Sequence, residues 1–398
     1  MPQILIEKYH SRVRHTDLTF VRSLMDTIHK GARLVGIRGA RGVGKTTLML
    51  QYIKQNLYND QTALYVSLDH IGFTGQTLVG LADAFAKSGG THLFLDEVHK
   101  YPNWAQELKN CYDDHPELTI WFTGSSMLEF LNARADLSRR AVMYDMQGLS
   151  YREYLAMHHQ VHLPQVDFEE MLSRHVQISD AVLGVVRPLQ HFRHYLAKGY
   201  YPFYHENPDL YELRIEEVIQ MILEVELPLM RQVDIGYIPR IRQLLGIIAA
   251  SVPFVPNISG LSERIGVNRA TLLAYIHYLN EAGIVRNLFK SGGGLSKLQK
   301  PEKILLENPN LMFTLAPDNA NRGNLRETFF SNQLSYTHHI NWAPQGDFLI
   351  DNQYTFEVGG RKKSKQQINE LPNSFVVSDD IEYGRGNRIP LWMFGLLY

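Results

Sequence analysis

The stretch Arg33 to Leu50, RLVGIRGARGVGKTTLML, constrains this chain more than any other, because it reads as a buried strand, a glycine-rich turn and the opening of a helix. Gly39, Gly44, Lys45 and Thr46 fit the pattern G-x-x-x-x-G-K-[ST] of a phosphate-binding loop. In such a loop the backbone N–H groups close around an anion, and the following helix points the positive end of its dipole at the same place. Lys45 would reach the outer phosphates of a nucleotide, and the Thr46 hydroxyl would hold Mg²⁺. The candidate nucleotide-binding residues are therefore Gly39, Gly42, Gly44, Lys45, Thr46 and Thr47. Leu34, Val35 and Ile37 supply the apolar run that must precede the turn, and Leu48 to Ile53 continue helically after it.

Downstream, strand-like and helix-like segments alternate: Ala63 to Asp69, Thr77 to Lys87, then Thr91 to Glu97. Alternation of this kind predicts parallel pairing and a three-layer α/β domain. Residues 1 to 32 supply basic and aromatic side chains and a helix-like run from Leu18 to His29, against which a nucleotide base can lie. The run THLFLDE ends in Asp96-Glu97, and carboxylates at the C-terminal edge of a parallel sheet face the ligand crevice. Asp96 is the candidate metal-side carboxylate, and Glu97 the candidate base that orients and deprotonates a water. A water-activating Glu is not what a small-molecule kinase needs, since there the acceptor is the substrate.

A fourth strand, Thr119 to Gly124, runs into Ser125 and Ser126. In an inserted-strand sheet it lies between the strands that carry the loop and the acidic pair, so Thr123 and Ser125 are candidate γ-phosphate sensors; an ordinary polar turn is the competing reading. Arg139 and Arg140 precede a fifth strand, Ala141 to Met146. An arginine there is either a finger on the γ-phosphate, in cis or in trans, or a solvated basic pair.

Taken together, GARGVGKTT, LFLDE, WFTGSS, LSRR before a strand and GLSYREYL resemble the AAA+-type P-loop ATPases of bacteria and archaea whose C-terminal half is a domain of unknown function. The order of motifs matches over nearly the whole chain. Members of that family carry Gly-Arg where this chain has Arg139-Arg140, so Arg140 is the matching residue. The resemblance implies ATP and Mg²⁺, and the segment KGYYPFY, Lys198 to Tyr204, resembles the family's aromatic Gly-x-Pro turn.

The expected fold is thus α/β: a P-loop NTPase three-layer sandwich with an inserted-strand sheet at 1–150, a helical lid at 151–250, a winged helix-turn-helix at 251–315, and a small nuclease-like α/β domain at 316–398. In the lid, Pro228 is expected to kink or end the run Leu210 to Met230. His191 with His194, and the group His158, His159 and His162, lack a third ligand and read as surface histidines rather than zinc ligands. The winged-helix reading rests on Leu261, Ile265 and Val267, a turn through Gly266, a cap at Asn268, and a helix with Leu272, Leu273, Ile276 and Leu279 on its core face. Its groove-facing candidates are Arg269, Thr271, Tyr275 and His277, and Arg286, Lys290, Lys297, Lys300 and Lys303 make the wing side basic. Duplex DNA and a protein contact are both open as its partner.

Near the C-terminus, Leu325 to Tyr336 reads as a helix bearing Glu327, and GDFLI-DNQ-YTFEV as a hairpin that sets Asp347 opposite Glu357, with Cβ atoms roughly 5 Å apart. A helix Lys365 to Leu371 and a strand Ser374 to Ser378 follow, which resembles the core of the restriction-endonuclease-like fold. That pattern requires Glu-x-Lys, whereas this chain has Glu357-Val358-Gly359, with Lys362 and Lys363 nearby. Glu327, Asp347 and Glu357 are therefore the residues of a degenerate nuclease site, and a binding module competes with a nuclease.

Bulk properties fit this frame. At 398 residues each of several domains can bury its own core. Forty Lys and Arg against 41 Asp and Glu give a net charge of -1, so nucleic acid would have to be bound by a local patch. The single Cys111 forms no internal disulfide, and the longest apolar stretch, Leu244 to Val255, is broken by Gly246, Ser251 and Pro253. The expectation is a soluble, cytoplasmic, Mg²⁺-dependent ATPase without a membrane partner, able to form oligomers. A nucleotide-gated regulator with little turnover is the alternative, and an ATP-dependent nuclease a further one.

Overall fold

The structure, a computed structural model, describes residues 3–57, 62–125, 130, 137–251, 255–292, 300–317, 322–363 and 368–398. Ser126, Lys297 and the first residues of the helix expected at Lys365 to Leu371 lie outside them. The chain divides into two units, Met1–Gly148 and Leu149–Tyr398.

The first unit is built on five short strands, β1 (Leu34–Arg38), β2 (Ala63–Ser67), β3 (His92–Asp96), β4 (Thr119–Gly124) and β5 (Val142–Asp145). They form one all-parallel sheet in the order β2-β3-β4-β1-β5. Near-continuous burial along β1 to β4 explains why these strands read as unbroken apolar runs rather than alternating ones. The inserted strand β4 lies between β1 and β3, as the sequence predicts, and it fills the interior with Trp121 and Phe122. Helices α3 (Lys45–Asn56), α4 (Leu78–Lys87) and α5 (Trp104–Asp114) cross between strands.

The amino-terminal expectation needs correction. Helix forms at α1 (Gln3–His15), and the run Leu18 to His29 keeps only the single turn α2 (Leu24–Thr27). The Asp17 carboxylate accepts hydrogen bonds from the Thr19 N–H and hydroxyl, which stops helix propagation there. Arg22, buried two residues before α2, donates to the backbone carbonyls of Val43, Gln147 and Gly148.

In the second unit Ser150 and Glu153 make a reciprocal capping box at the start of α6 (Tyr151–His159). Then come α7 (Phe168–Leu183), α8 (Pro188–Lys198) and α9 (Tyr211–Met221), which passes through a π-helical turn at Ile222–Glu226 into α10 (Leu227–Arg231). Pro228 sits just past that turn. Lacking an N–H and crowding the preceding carbonyl, it accounts for the widened spacing, so the expected kink takes the form of a π-bulge. After α11 (Ile238–Ala250), α12 (Ile258–Ile265) and α13 (Arg269–Glu281) meet at Gly266, whose φ is 67°, and Asn268 caps α13 by accepting from the Thr271 N–H. Strands β6 (Val285–Leu288) and β7 (Lys303–Leu306) pair antiparallel.

Helix α14 (Pro309–Leu315), which the sequence pattern does not announce, and α15 (Arg322–Leu334), the helix expected at Leu325 to Tyr336, lead into a sheet of β8 (Ile340–Trp342), β9 (Phe348–Ile350), β10 (Tyr354–Gly359), β11 (Ser374–Ser378) and β12 (Arg388–Pro390). Its order is β12-β11-β10-β9-β8, with β10-β11-β12 parallel and β8-β9-β10 antiparallel. Asn310 on α14 is the polar hub of this unit. Its Oδ1 accepts from the Tyr200 N–H and the Tyr211 hydroxyl, and its Nδ2 donates to the carbonyls of Tyr195 and Leu196. Asn310→Ala should strand the Tyr200 N–H, the Tyr211 hydroxyl and the Leu196 carbonyl, the Tyr195 carbonyl keeping the Gly199 N–H, and lower unfolding stability by about 3 kcal/mol, read from the urea midpoint.

Candidate nucleotide-binding site

Gly39 opens the loop after β1, and a Cβ there would fall 2.1 Å from the Met146 carbonyl, so only glycine lets the backbone pass. Gly42 and Gly44 adopt φ of 85° and 98°, the left-handed region that costs glycine little. Gly44 is also the N-cap of α3, with no side chain capping the helix, so the first-turn N–H groups face the loop. Lys45 is buried and its Nζ donates to the carbonyls of Gly39 and Ala40, each at 2.8 Å. Arg22 braces the loop from behind through Val43.

The Thr46 Oγ1 donates to Asp96 Oδ2 at 2.8 Å. This joins the first residues of α3 to the last residue of β3, two segments fifty positions apart in the chain. Asp96, only 2 % exposed, is held by three further donors: the Tyr65 hydroxyl on Oδ2, and the Thr123 hydroxyl and Glu97 N–H on Oδ1. Strand order explains the convergence, because β2 and β4 both flank β3 and register sets Ser67 beside Asp96 and Phe122 beside Leu95.

Glu97 follows in the left-handed region, at φ 53° and ψ 40°, which swings its side chain away from the strand direction. The Ser125 hydroxyl donates to Glu97 Oε2 at 3.3 Å, and His99 Nε2 lies 3.4 Å from the same oxygen. Burial, then the neighbouring Asp96 charge, raise the Glu97 carboxyl above its usual range, and Lys45 and Arg41 oppose them. Burial also pushes His99 down to about 3, so it is a neutral imidazole. His99, Tyr65 and Arg22 belong to this constellation although sequence reading missed them. The spacing Glu97-Val98-His99 was the available signal for the first; Tyr65 and Arg22 carry no motif.

Arg140 stands elsewhere. It precedes β5, level with the start of β1, and its guanidinium makes a two-pronged pair with Asp113. A strand length of roughly 20 Å therefore parts it from the loop at the other end of β1. An arginine finger acting in cis, one of the two placements expected for Arg140, does not fit this arrangement.

The donor set fits a nucleotide with its metal. Backbone N–H groups and Lys45 suit phosphate oxygens, and the Thr46 hydroxyl beside the Asp96 carboxylate suits a hard cation such as Mg²⁺.

In the second unit, Glu327, Asp347 and Glu357 come together with two lysines. Lys303 Nζ lies 2.8 Å from Glu327 and 3.4 Å from Asp347, and Lys363 Nζ 2.9 Å from Glu357. Burial raises the Glu327 carboxyl, an effect that Lys303 opposes and Asp347 reinforces. A Cβ on Gly359 would meet the Lys363 side chain at 2.6 Å, so that lysine lies over the glycine. The acidic residues thus find their counter-charge in lysines, and no group of three His, Cys, Asp or Glu among the described residues is arranged to hold a metal. Of the histidines, His158, His159 and His194 pack against Tyr154, and His158 and His194 also against Tyr204, while His205 lies against His158 and His191 against His159.

The basic wing is largely spent on internal pairs: Arg286 with Glu307, Lys290 with Glu302, and Lys303 as above. Lys303 is corrected from a wing cation to a buried one, and Tyr275 from a groove residue to a core one. No helix among the described residues is long and apolar enough to cross a membrane.

Residues 31–155 match the family model of an AAA domain, and residues 189–322 that of a domain of unknown function (DUF8612). No curated protein matches the chain. Among solved structures, a Walker-type ATPase of Pyrococcus abyssi is similar at 12% identity and TM-score 0.41, over 78% of this chain and 95% of that one. The AMPPCP-bound DnaA of Aquifex aeolicus is similar at 13% identity and TM-score 0.26, over 68% and 86%. The family match and the parallel five-stranded sheet make the first unit a P-loop domain of the AAA ATPase type.

Lys303→Met should cost about 3 kcal/mol in a urea titration by stranding Glu327 in the interior, and Lys303→Met combined with Glu327→Leu should recover most of it.

Proposed function

We propose that the chain is a Mg²⁺-dependent ATP hydrolase whose turnover switches the second unit between conformations. The observation that carries the reading is the Thr46–Asp96 hydrogen bond beside Glu97, which joins the phosphate loop, a metal-side carboxylate and a base at one point. The loop N–H groups and Lys45 bind the phosphates. Thr46 and Asp96 are the groups that would hold Mg²⁺, which supplies neutralisation of phosphate charge. Glu97 takes the proton of the attacking water, and Ser125 and His99 fix its free oxygen. Thr123 braces Asp96 instead of touching the γ-phosphate, whereas Ser125 remains at the water side. Arg140, at the opposite end of the sheet from the loop, is assigned to a neighbouring copy in an oligomer.

The competing class is a nucleotide-gated regulator with little turnover, and one experiment separates the two. Phosphate release by the wild-type chain should be lost in Lys45→Ala together with nucleotide binding. In Glu97→Gln it should fall at least a hundredfold while binding is kept. Activity unchanged in Glu97→Gln removes the mechanism. Because the Glu97 carboxyl is raised, its ionised form is lost on acidification at a pH above 4.5, so the rate profile should carry its acid limb there.

For the second unit, α12, α13 and the β6-β7 ladder support a winged-helix reading, and β9 to β12 with α15 a nuclease-like one. With three of the wing cations paired internally and Tyr275 buried, the first is read as a protein contact rather than a DNA reader. Duplex DNA should then give no shift at low salt. A salt-dependent shift abolished by reversing Lys300 would restore the DNA reading. Lys303 between Glu327 and Asp347 favours a binding module over a nuclease.

A further inference from the structure

Asp96 offers four lone-pair sites, and four donors fill them: Thr46, Tyr65, Thr123 and the Glu97 N–H. Two of these come from the strand ends that flank or follow Asp96, and one from the phosphate loop. Tyr65 is different. It lies two residues back along β2, is 3 % exposed, and reaches Oδ2 at 2.8 Å, the oxygen that it shares with Thr46.

The Tyr65 hydroxyl is itself engaged from the other side. Arg12 on α1 donates from Nη1 to the Tyr65 oxygen at 2.5 Å, and its guanidinium stands 5.4 Å from the centre of the Tyr65 ring. A cation on the oxygen polarises the O–H bond and strengthens its donation to the carboxylate, so Arg12, Tyr65 and Asp96 form one cooperative chain. The end of α1 is tied to the phosphate-loop helix as well: Lys54 donates to the carbonyls of Arg14 and Thr16, and Gln51 to those of Asp17 and Phe20. Arg12 is therefore delivered by a segment anchored to α3.

We propose that Tyr65 and Arg12 are positioning residues for Asp96, with the Tyr65 hydroxyl fixing Oδ2 toward the metal side and Arg12 fixing the hydroxyl. The inference rests on the ATPase reading above. Were Thr46 to leave Asp96 for a cation, one site on Oδ2 would open, and the Tyr65 hydroxyl would remain to keep that oxygen from rotating.

The test is affinity for a fluorescent ATP analogue, measured first in EDTA and then across a Mg²⁺ titration, so that no turnover is needed. Tyr65→Phe should leave the EDTA affinity at the wild-type value and raise the Mg²⁺ concentration for half-maximal tightening by roughly tenfold or more, the lower end for one hydrogen bond to a charged group. Arg12→Gln, a surface change that leaves the core intact, should move it the same way by roughly two- to threefold. Because Arg12 acts through Tyr65, the double variant should be no worse than Tyr65→Phe. Mg²⁺ titrations that superimpose on wild type overturn the inference while leaving the ATPase reading intact. So does a double variant whose effects multiply, or a Tyr65→Phe protein that loses affinity in EDTA too. A wild-type chain that binds no nucleotide at all overturns both.

Discussion

The first unit depends on one buried carboxylate. Asp96 is out of water and carries a charge that only hydrogen bonds can sustain there, and its four donors come from β2, β4, α3 and its own successor. That requirement explains the sheet order, since β3 must have β2 on one side and β4 on the other for Tyr65 and Thr123 to reach it. It also explains the sharp turn at Glu97, because a residue in the left-handed region can give its N–H to Asp96 and still send its side chain outward. Phosphate loop, acidic pair and inserted strand are thus three parts of one electrostatic arrangement.

Much of this was legible in the residues. The phosphate loop, the parallel strands, their order around the inserted β4 and the cap at Asn268 each depend on local chemistry: glycine where φ is positive, apolar runs for strands buried on both faces, an amide where a helix starts. What was not legible depends on partners distant in the chain. Nothing around Tyr65 announces that its hydroxyl meets Asp96, nor around Arg22 that three carbonyls await it. Arg140 shows the converse, for a motif position says which residue matches a pattern but not which end of the strand it stands on. The helix α1 was missed because its apolar positions Leu5, Tyr9 and Val13 are few and set among polar neighbours.

In the second unit α12, α13, α15 and the β9-β10 hairpin stand where the residues suggest, whereas Ile368 to Leu371, expected to end a helix, is turn and bend, and the charges find partners that the residues do not announce. Counting Lys303 as a wing cation ignored that β7 is buried along its whole length, so a lysine there must find an acid; it finds Glu327 on α15 and Asp347 before β9. The hairpin register was predictable from the turn at Asp351 and Asn352, both of which take positive φ, and it sets Asp347 by Glu357 as expected. The identity of the counter-charge was not, because both lysines arrive from segments outside the hairpin.

Lys363 lying across Gly359 has a consequence for which sequences this module can hold. The strand position at 359 and the loop position at 363 compete for one volume beside Glu357. A lysine on the strand would have to displace the lysine from the loop, so the two solutions exclude each other, and neither can be reached from the other by a single tolerated substitution. The glycine is thus the counterpart of Lys363, kept small so that a charge can reach Glu357 from a loop four residues further along the chain.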